Sequence, residues 1–146
     1  MGKKRLNLGC GINWKRDYPD WPGLDMIDYG QEHIGDVIEL LPRFKGESLD
    51  EVMANHFLEH FNQDQLRIIF SEVNRILRYN GLFRFVIPHK DGERAWDLSH
   101  KTFWNENTVT RLGEPDWTLI HAFGKWKVEE VTVNKRPDIH ARLRKR

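Results

Sequence analysis

The amino-acid sequence predicts an open α/β sheet, mostly parallel, with helices on its faces and an antiparallel hairpin at its C-terminus, folded as one domain over residues 1–146. Three observations predict it. Short β-leaning runs recur between Arg5 and Pro88. One long segment after Asn62 switches to the helical period. Two alternating runs near the C-terminus face each other across a Lys-Arg-Pro-Asp turn.

The first run, Arg5 to Leu8 in "RLNLG", alternates apolar and polar residues and stops at a glycine, as a short strand does. "GLDMID" (Gly23 to Asp28) reads as a second strand, reached by a loop because Pro19 and Pro22 forbid a long helix before it. Gly35 to Leu40 ("GDVIEL") and Ser48 to Asn55 ("SLDEVMAN") are two further β-leaning runs. From Asn62 the period changes, and Leu66, Ile69, Phe70, Val73, Ile76 and Leu77 fall on one helical face. Asn62 with Gln65 is a capping-box pattern at the start of that helix, and Asn80-Gly81 supplies a left-handed stop. "LFRFVIP" (Leu82 to Pro88) is apolar enough for a strand buried on both faces. A short helix is expected from about Asn105 to Leu112, and "EEVTV" with "IHARLR" closes the chain as the hairpin.

Composition excludes several classes. Hydrophobic residues are 39% and charged residues 31% of the chain, the balance of a soluble globular protein and not of a disordered or membrane one. No apolar run approaches the roughly 18 residues of a membrane span. The basic start "MGKKRLNLGCG" is broken by Asn7 and Gly9 before it could form a signal-peptide core, so a cytoplasmic location is expected. Cys10 is the single cysteine, which excludes an internal disulfide and a multi-cysteine zinc site. Net charge is +1, yet Lys135 to Arg146 holds six Lys or Arg against one Asp. That tail reads as a terminal strand with basic outward positions, and nucleic acid is not excluded as a partner.

Ligands of open α/β sheets bind at the carboxyl ends of the strands, so the candidate site residues are those at the tips. At the first tip Gly9 and Gly11 flank Cys10 and let backbone approach a ligand closely. Trp14 stands where the third glycine of the dinucleotide fingerprint would fall, which weakens an NAD-dependent reading. Asp25 and Asp28 follow Gly9 by 16 and 19 residues and either could accept both protons of a ribose diol. Glu39 ends the third run and Asn55 and His56 end the fourth. The segment "NHFLEHF" (Asn55 to Phe61) also fits the H-x-x-E-H pattern of a zinc hydrolase through His56, Glu59 and His60. That reading needs a third ligand, such as His89 or His100, and only about one and a half helical turns are left for the motif.

The ordered segments "LNLGCG", "GLDM", "DVIELLP", "SLDEVMANHFLEHF", "EVNRILRYNGLFRFVIPH" and "SHKTFW" resemble a class I S-adenosylmethionine-dependent methyltransferase. Nearest in pattern is a group of small members with an abbreviated Rossmann-like fold and a histidine-lysine-aromatic signature after the fifth strand. The resemblance spans roughly residues 4 to 110, and its strength is the order and spacing of the segments. It implies S-adenosylmethionine as cofactor and no metal. Gly9, Cys10 and Gly11 would line its methionine and ribose, and Asp25, better aligned than Asp28, would bind the ribose hydroxyls. Met26, Glu39 and Leu40 would flank the adenine, and Asn55 and His56 would lie under the sulfonium. Candidate bases for a hydroxyl or amine acceptor are His56, His60, His89 and His100, with Asp97 as an orienter. Trp96, Phe103, Trp104 and Trp117 are available to wall an acceptor pocket. The shortened connection after the first strand leaves two further expectations: a binding module of the same fold without turnover, and a homodimer covering apolar sheet surface left without a helix.

Overall fold

The computed structural model describes residues 2–146. In chain order the elements are β1 (Arg5–Leu8), α1 (Trp14–Asp17), β2 (Gly23–Asp25), β3 (His33–Ile34), α2 (Val37–Leu40), β4 (Leu49–Asn55), α3 (Gln63–Ile76), β5 (Leu77–Pro88), α4 (Glu106–Thr110), α5 (Trp117–Phe123), β6 (Trp126–Val133) and β7 (Asp138–Lys145). The strands form one sheet in the order β3-β2-β1-β4-β5-β7-β6. Pairings from β3 through β5 are parallel, and β7 runs antiparallel to both β5 and β6. The expected architecture is therefore observed. The order reverses at β1, whose neighbours are β2 and β4, and a crevice opens between the diverging connections of β1 and β4.

Several boundaries differ from the sequence reading, each for a local reason. The second strand stops at Asp25 rather than Asp28, because the Asp25 and Asp28 carboxylates accept the Ile27 and Gly30 amides and turn the chain. Gly35 to Leu40 is not a strand. Asp36 caps the N-terminus of α2 by accepting the Ile38 amide at 2.9 Å, and the strand of this region is the two-residue β3 just before it. The capping box of α3 is present, with Gln65 N–H donating to Asn62 Oδ1 at 2.9 Å and Asn62 N–H to Gln65 Oε1 at 3.0 Å. The helix nevertheless ends at Ile76, four residues before Asn80-Gly81. Leu77 already pairs with Leu49, the next paired position is Leu82 with Glu51, and Asn80 at φ 69° turns the residues looped out between them. Helix α5 is a further element, capped by Asp116, which accepts the Thr118 amide at 2.9 Å, and its partly buried Phe123 packs against the core.

Alternation along the strands divides the sheet into two unlike faces. Leu6, Leu8, Val52, Ala54, Phe83, Phe85, Ile139 and Leu143 join Ile69, Phe70, Val73 and Ile76 of α3 in one apolar core. The β1–β2 connection lies against the opposite face, where Asn55 Nδ2–H donates to the Tyr18 hydroxyl oxygen at 3.2 Å and Trp21 stacks under the Arg5 guanidinium at 5.2 Å. Most of the rest of that face is charged or polar, with Met53 and Val86 among these side chains, and not the apolar surface expected. Glu51 is ringed by Lys3, Arg5 and Arg84, and Arg142 lies 3.4 Å from both Glu129 and Glu130. The apolar surface expected to favour a dimer is thus reduced to isolated residues. The basic tail is likewise a strand with its outward charges engaged, since Arg144 makes a two-pronged contact with Glu129 at 2.5 and 3.1 Å.

Candidate functional site at the strand tips

The β1 tip is held by backbone hydrogen bonds. Gly9 and Cys10 amides both donate to Leu24 O, at 2.8 and 3.2 Å, which ties the glycine turn to β2. Gly9 sits at φ +64°, and a Cβ there would stand 2.2 Å from the Phe57 ring, so both conformation and space require glycine. Gly11, at φ +71°, faces open space and donates its amide to Asp25 Oδ2 at 3.0 Å. Asp25 thus belongs to the glycine loop, whereas Asp28 is an exposed turn cap. Burial pushes the Cys10 thiol up to about 11, with the Asp25 charge adding to it, so at neutral pH Cys10 is a neutral wall and no nucleophile.

Beyond β2 lies an apolar rim in which Met26 is 69% and Ile12 72% exposed. The residue at the β3 tip is Asp36, and Glu39, expected there, stands exposed on α2. Leu40 is half-buried against Gly35. Nothing in the sequence marks Gln31: it is buried, accepts the Tyr29 amide at 2.8 Å and donates to Ile27 O at 2.8 Å, fixing the loop between β2 and β3. Trp14, in place of a third glycine, is buried and donates its indole N–H to Tyr29 O at 3.3 Å, anchoring the same loop.

At the β4 tip Asn55 and His56 do end the strand. The His56 amide donates to Val86 O at 2.8 Å, extending the β4–β5 ladder by one residue, while its φ of 52° is left-handed and strained for a side-chain-bearing residue. Its imidazole lies between two acids, Nδ1 3.8 Å from Glu59 Oε2 and Nε2 3.8 Å from Asp138 Oδ2, separations too long for hydrogen bonds. The Glu59 carboxylate first, then Asp138, hold His56 above the ordinary histidine pKa against a partial burial that lowers it. Glu59 and Asp138 are each only 2% exposed, and Glu59 Oε1 and Asp138 Oδ1 have no hydrogen-bond partner among the described residues. Together with Gly9, Cys10 and Asn55, His56 and Asp138 line a cleft of about 370 Å³ that Arg136 of the β6–β7 turn also borders. Asp138 and Arg136 were read in the sequence only as hairpin residues.

Residues 58–60 form a single 3-10 turn, not an α-helix. His56 and His60 therefore do not share a helical face, and the H-x-x-E-H arrangement is not formed. His60 instead meets His100, with ring centroids 4.8 Å apart. His89 is buried, its Nδ1 accepting the Asp91 amide and its Nε2 bound to Glu106, so both nitrogens are engaged in tying β5 to α4. Asp97 accepts the Ser99 amide and hydroxyl and serves its own turn. Of the expected aromatic wall, Trp104 is in the core, Trp96 and Phe103 stack on each other at 4.4 Å, and Trp117 is exposed.

Comparison with known proteins places this arrangement. Solved structures share the fold over nearly the whole chain. A SAM-dependent methyltransferase from Archaeoglobus fulgidus has a TM-score of 0.72 at 17% identity, covering 99% of this chain and 87% of its own. The 1,6-didemethyltoxoflavin N1-methyltransferase of Burkholderia thailandensis, with bound 1,6-didemethyltoxoflavin and S-adenosylhomocysteine, scores 0.72 at 16% identity over 99% of this chain and 72% of its own. A methyltransferase in complex with the Haloferax volcanii Trm112 methyltransferase activator scores 0.69 at 16% identity, covering 99% and 82%. The fold is that of the class I methyltransferases. Residues 21–85 match the family described as "Methyltransferase domain". No curated protein sequence matches the chain significantly. Among the described residues no helix is long and apolar enough to cross a membrane.

Proposed function

We propose that this protein transfers the methyl group of S-adenosylmethionine to an acceptor held at the β4 tip, beside His56 and the β6–β7 turn. The observation that carries the proposal is the tie between the two cofactor-facing tips, the Gly11 amide on the Asp25 carboxylate, at the point where the strand order reverses. In this reading the backbone of Gly9, Cys10 and Gly11 meets the amino-acid end of the cofactor. Asp25 accepts the ribose hydroxyls with its remaining lone pairs. Met26 and Leu40 offer apolar surface to the adenine, and Asp36, at the β3 tip, replaces Glu39 as the acid nearest its amino group. Asn55 and His56 floor the sulfonium, and the buried Glu59 and Asp138 carboxylates add negative charge there.

Transfer is an in-line displacement. When bound, the cofactor would supply a methyl group on a sulfonium that departs as a neutral thioether; Asn55 and His56 would hold that end, and an acceptor hydroxyl or amine would release its proton to a nearby base or to water. Holding the acceptor at near-attack distance can supply several kcal/mol of such a barrier. Neither His89, which is fully engaged, nor Cys10, which is protonated, is placed to act as a base.

Thermal melting with S-adenosylmethionine, S-adenosylhomocysteine and NAD in parallel tests the reading. A ligand at about 100 times its dissociation constant adds about 2.7 kcal/mol, a shift of several degrees at this size. Both sulfur cofactors should give that shift and NAD none. Asp25→Asn should remove it and Asp28→Asn should keep it. A wild-type protein that melts unchanged with either sulfur cofactor contradicts the proposal. The β1–β2 connection, reduced to the four-residue α1 and its flanks, favours one second reading, a cofactor-binding module without turnover. That reading predicts the same thermal shift and no S-adenosylhomocysteine formed with any acceptor.

A further inference from the structure

The turn after β4 meets the segment before α4 in a group of side chains of which the methyl-transfer reading uses only Glu59. Glu59, His60 and His100 each offer one ligand atom, and these atoms lie within 4.8 Å of one another. We propose that Glu59, His60 and His100 bind a divalent first-row transition metal ion, a site with two imidazoles, one carboxylate and further positions open.

Three features of the molecule argue for a metal and against chance proximity. The two segments are clamped by backbone, because the Lys101 and Thr102 amides both donate to Glu59 O, at 2.8 and 3.3 Å. His100 is fixed in tautomer: a carbonyl can only accept, so the 3.1 Å contact with Ala95 O requires the proton on Nδ1 and leaves the lone pair on Nε2. A hydrogen bond from the outer nitrogen to a backbone carbonyl is how metal-bound histidines are oriented. Glu59 is almost wholly buried, yet Oε1 has no hydrogen-bond partner among the described residues. A carboxylate oxygen in that position costs free energy unless a cation or donor meets it.

Two histidines and a carboxylate suit zinc(II) and its neighbours, and three protein ligands leave room for water or substrate. Ligand atoms about 2.0–2.2 Å from a tetrahedral ion stand about 3.4 Å apart, so the half-buried histidine side chains would close in by about an ångström on binding. Glu59 also links this group to the cleft, since its Oε2 faces His56. An ion here would sit one carboxylate away from the β4 tip, and its open position would take an oxygen of the methyl acceptor. That last use rests on the methyltransferase reading, whereas metal binding does not.

The test is calorimetric titration of untagged, chelator-treated protein with zinc(II), and the visible spectrum of the cobalt(II)-loaded protein. One equivalent should bind, and cobalt(II) should give the d–d bands of a low-coordinate nitrogen and oxygen site. His60→Ala, His100→Ala and Glu59→Gln should each weaken binding by at least about 100-fold, since even outer partners of such sites cost 10–100-fold. His121→Ala, on α5, should change nothing. Melting curves verify that each variant is folded, and the wild-type cobalt spectrum serves as a readout independent of any variant. Absence of binding, or zinc affinity unchanged by loss of His60 and of His100, overturns the site. S-adenosylhomocysteine binding measured on the same samples separates the two proposals: metal without cofactor sinks the methyltransferase reading, and cofactor without metal sinks this one.

Discussion

On one face of the sheet Leu8, Val52, Phe83, Phe85 and Ile139 lie under α3, and on the other face, one residue out of step, Arg5, Arg84 and Arg142 reach toward solvent around the buried Glu51. The same strands write both faces, because successive side chains point in opposite directions. The contrast teaches how a sheet of this kind does without a helical layer. The connection from β1 to β2 is too short to cover the second face, and the residues that would have required covering are charged and paired across the strands. An exposed apolar face of that size would invite association. A charged one does not.

The largest expected effect is on the covered face. Phe70 of α3 packs against the rings of Phe83, Phe85, Trp104, Phe123 and Trp126, at centroid distances of 5.4 to 6.4 Å. Phe70→Ala should cost about 3–5 kcal/mol, visible as a fall in Tm of roughly 10 °C. A loss below about 1 kcal/mol would break the view that stability resides under α3.

The middle effect is on the open face, at Glu51. Burial would raise its pKa, but the Lys3 ammonium and the Arg84 and Arg5 guanidinium groups outweigh burial and hold it below the usual carboxylate range. A carboxylate depressed in the folded state stabilises the fold above its unfolded pKa, and that stabilisation is lost as pH falls through the folded value. Tm should therefore fall as pH drops below about 4.5. Glu51→Gln should flatten part of that slope while lowering stability at neutral pH by about 1–2 kcal/mol, as three cations lose a common partner. An acid limb identical in wild type and variant would show that Glu51 is not what the open face leans on.

The smallest effect is expected at the half-buried Arg142, whose guanidinium stands 3.4 Å from Glu129 and Glu130; Arg142→Gln should cost about 1 kcal/mol by chemical denaturation, the upper end of surface ion pairs. The informative variant is the double change Arg84→Leu with Arg142→Leu, which gives the open face the apolar character of the covered one. Light scattering should then detect self-association absent from the wild type. Association of the wild type through this face would undo the comparison.

How much of this was legible in the sequence depended on the range of the interactions involved. The β1 bounds, the Asn62–Gln65 capping box and the C-terminal hairpin are local, set by residues within a turn of one another, and they were readable. The end of α3 was not. Asn80-Gly81 does adopt the left-handed geometry its residues allow, but pairing with β4 captures Leu77 first and turns the signal into a bend within β5. At the site, the glycine turn and Asp25 could be found by spacing along the chain. Asp36 could have been found from its place just before an apolar helical turn. Asp138 and Gln31 could not, since nothing about either residue in the sequence says that it is buried beside a strand tip from another part of the chain.

The sequence by itself determined β1, the capped start of α3, the apolar β5 and the C-terminal hairpin, and the glycine turn that needs no side chain at Gly9, because these rest on period and on backbone freedom. Only the tertiary structure decided which side chains share a space. It separated His56 from His60, engaged both nitrogens of His89, and brought His100 against His60 and Asp138 against His56. Those juxtapositions arise when parallel pairing brings remote strand ends together, a distance that no spacing along the chain encodes.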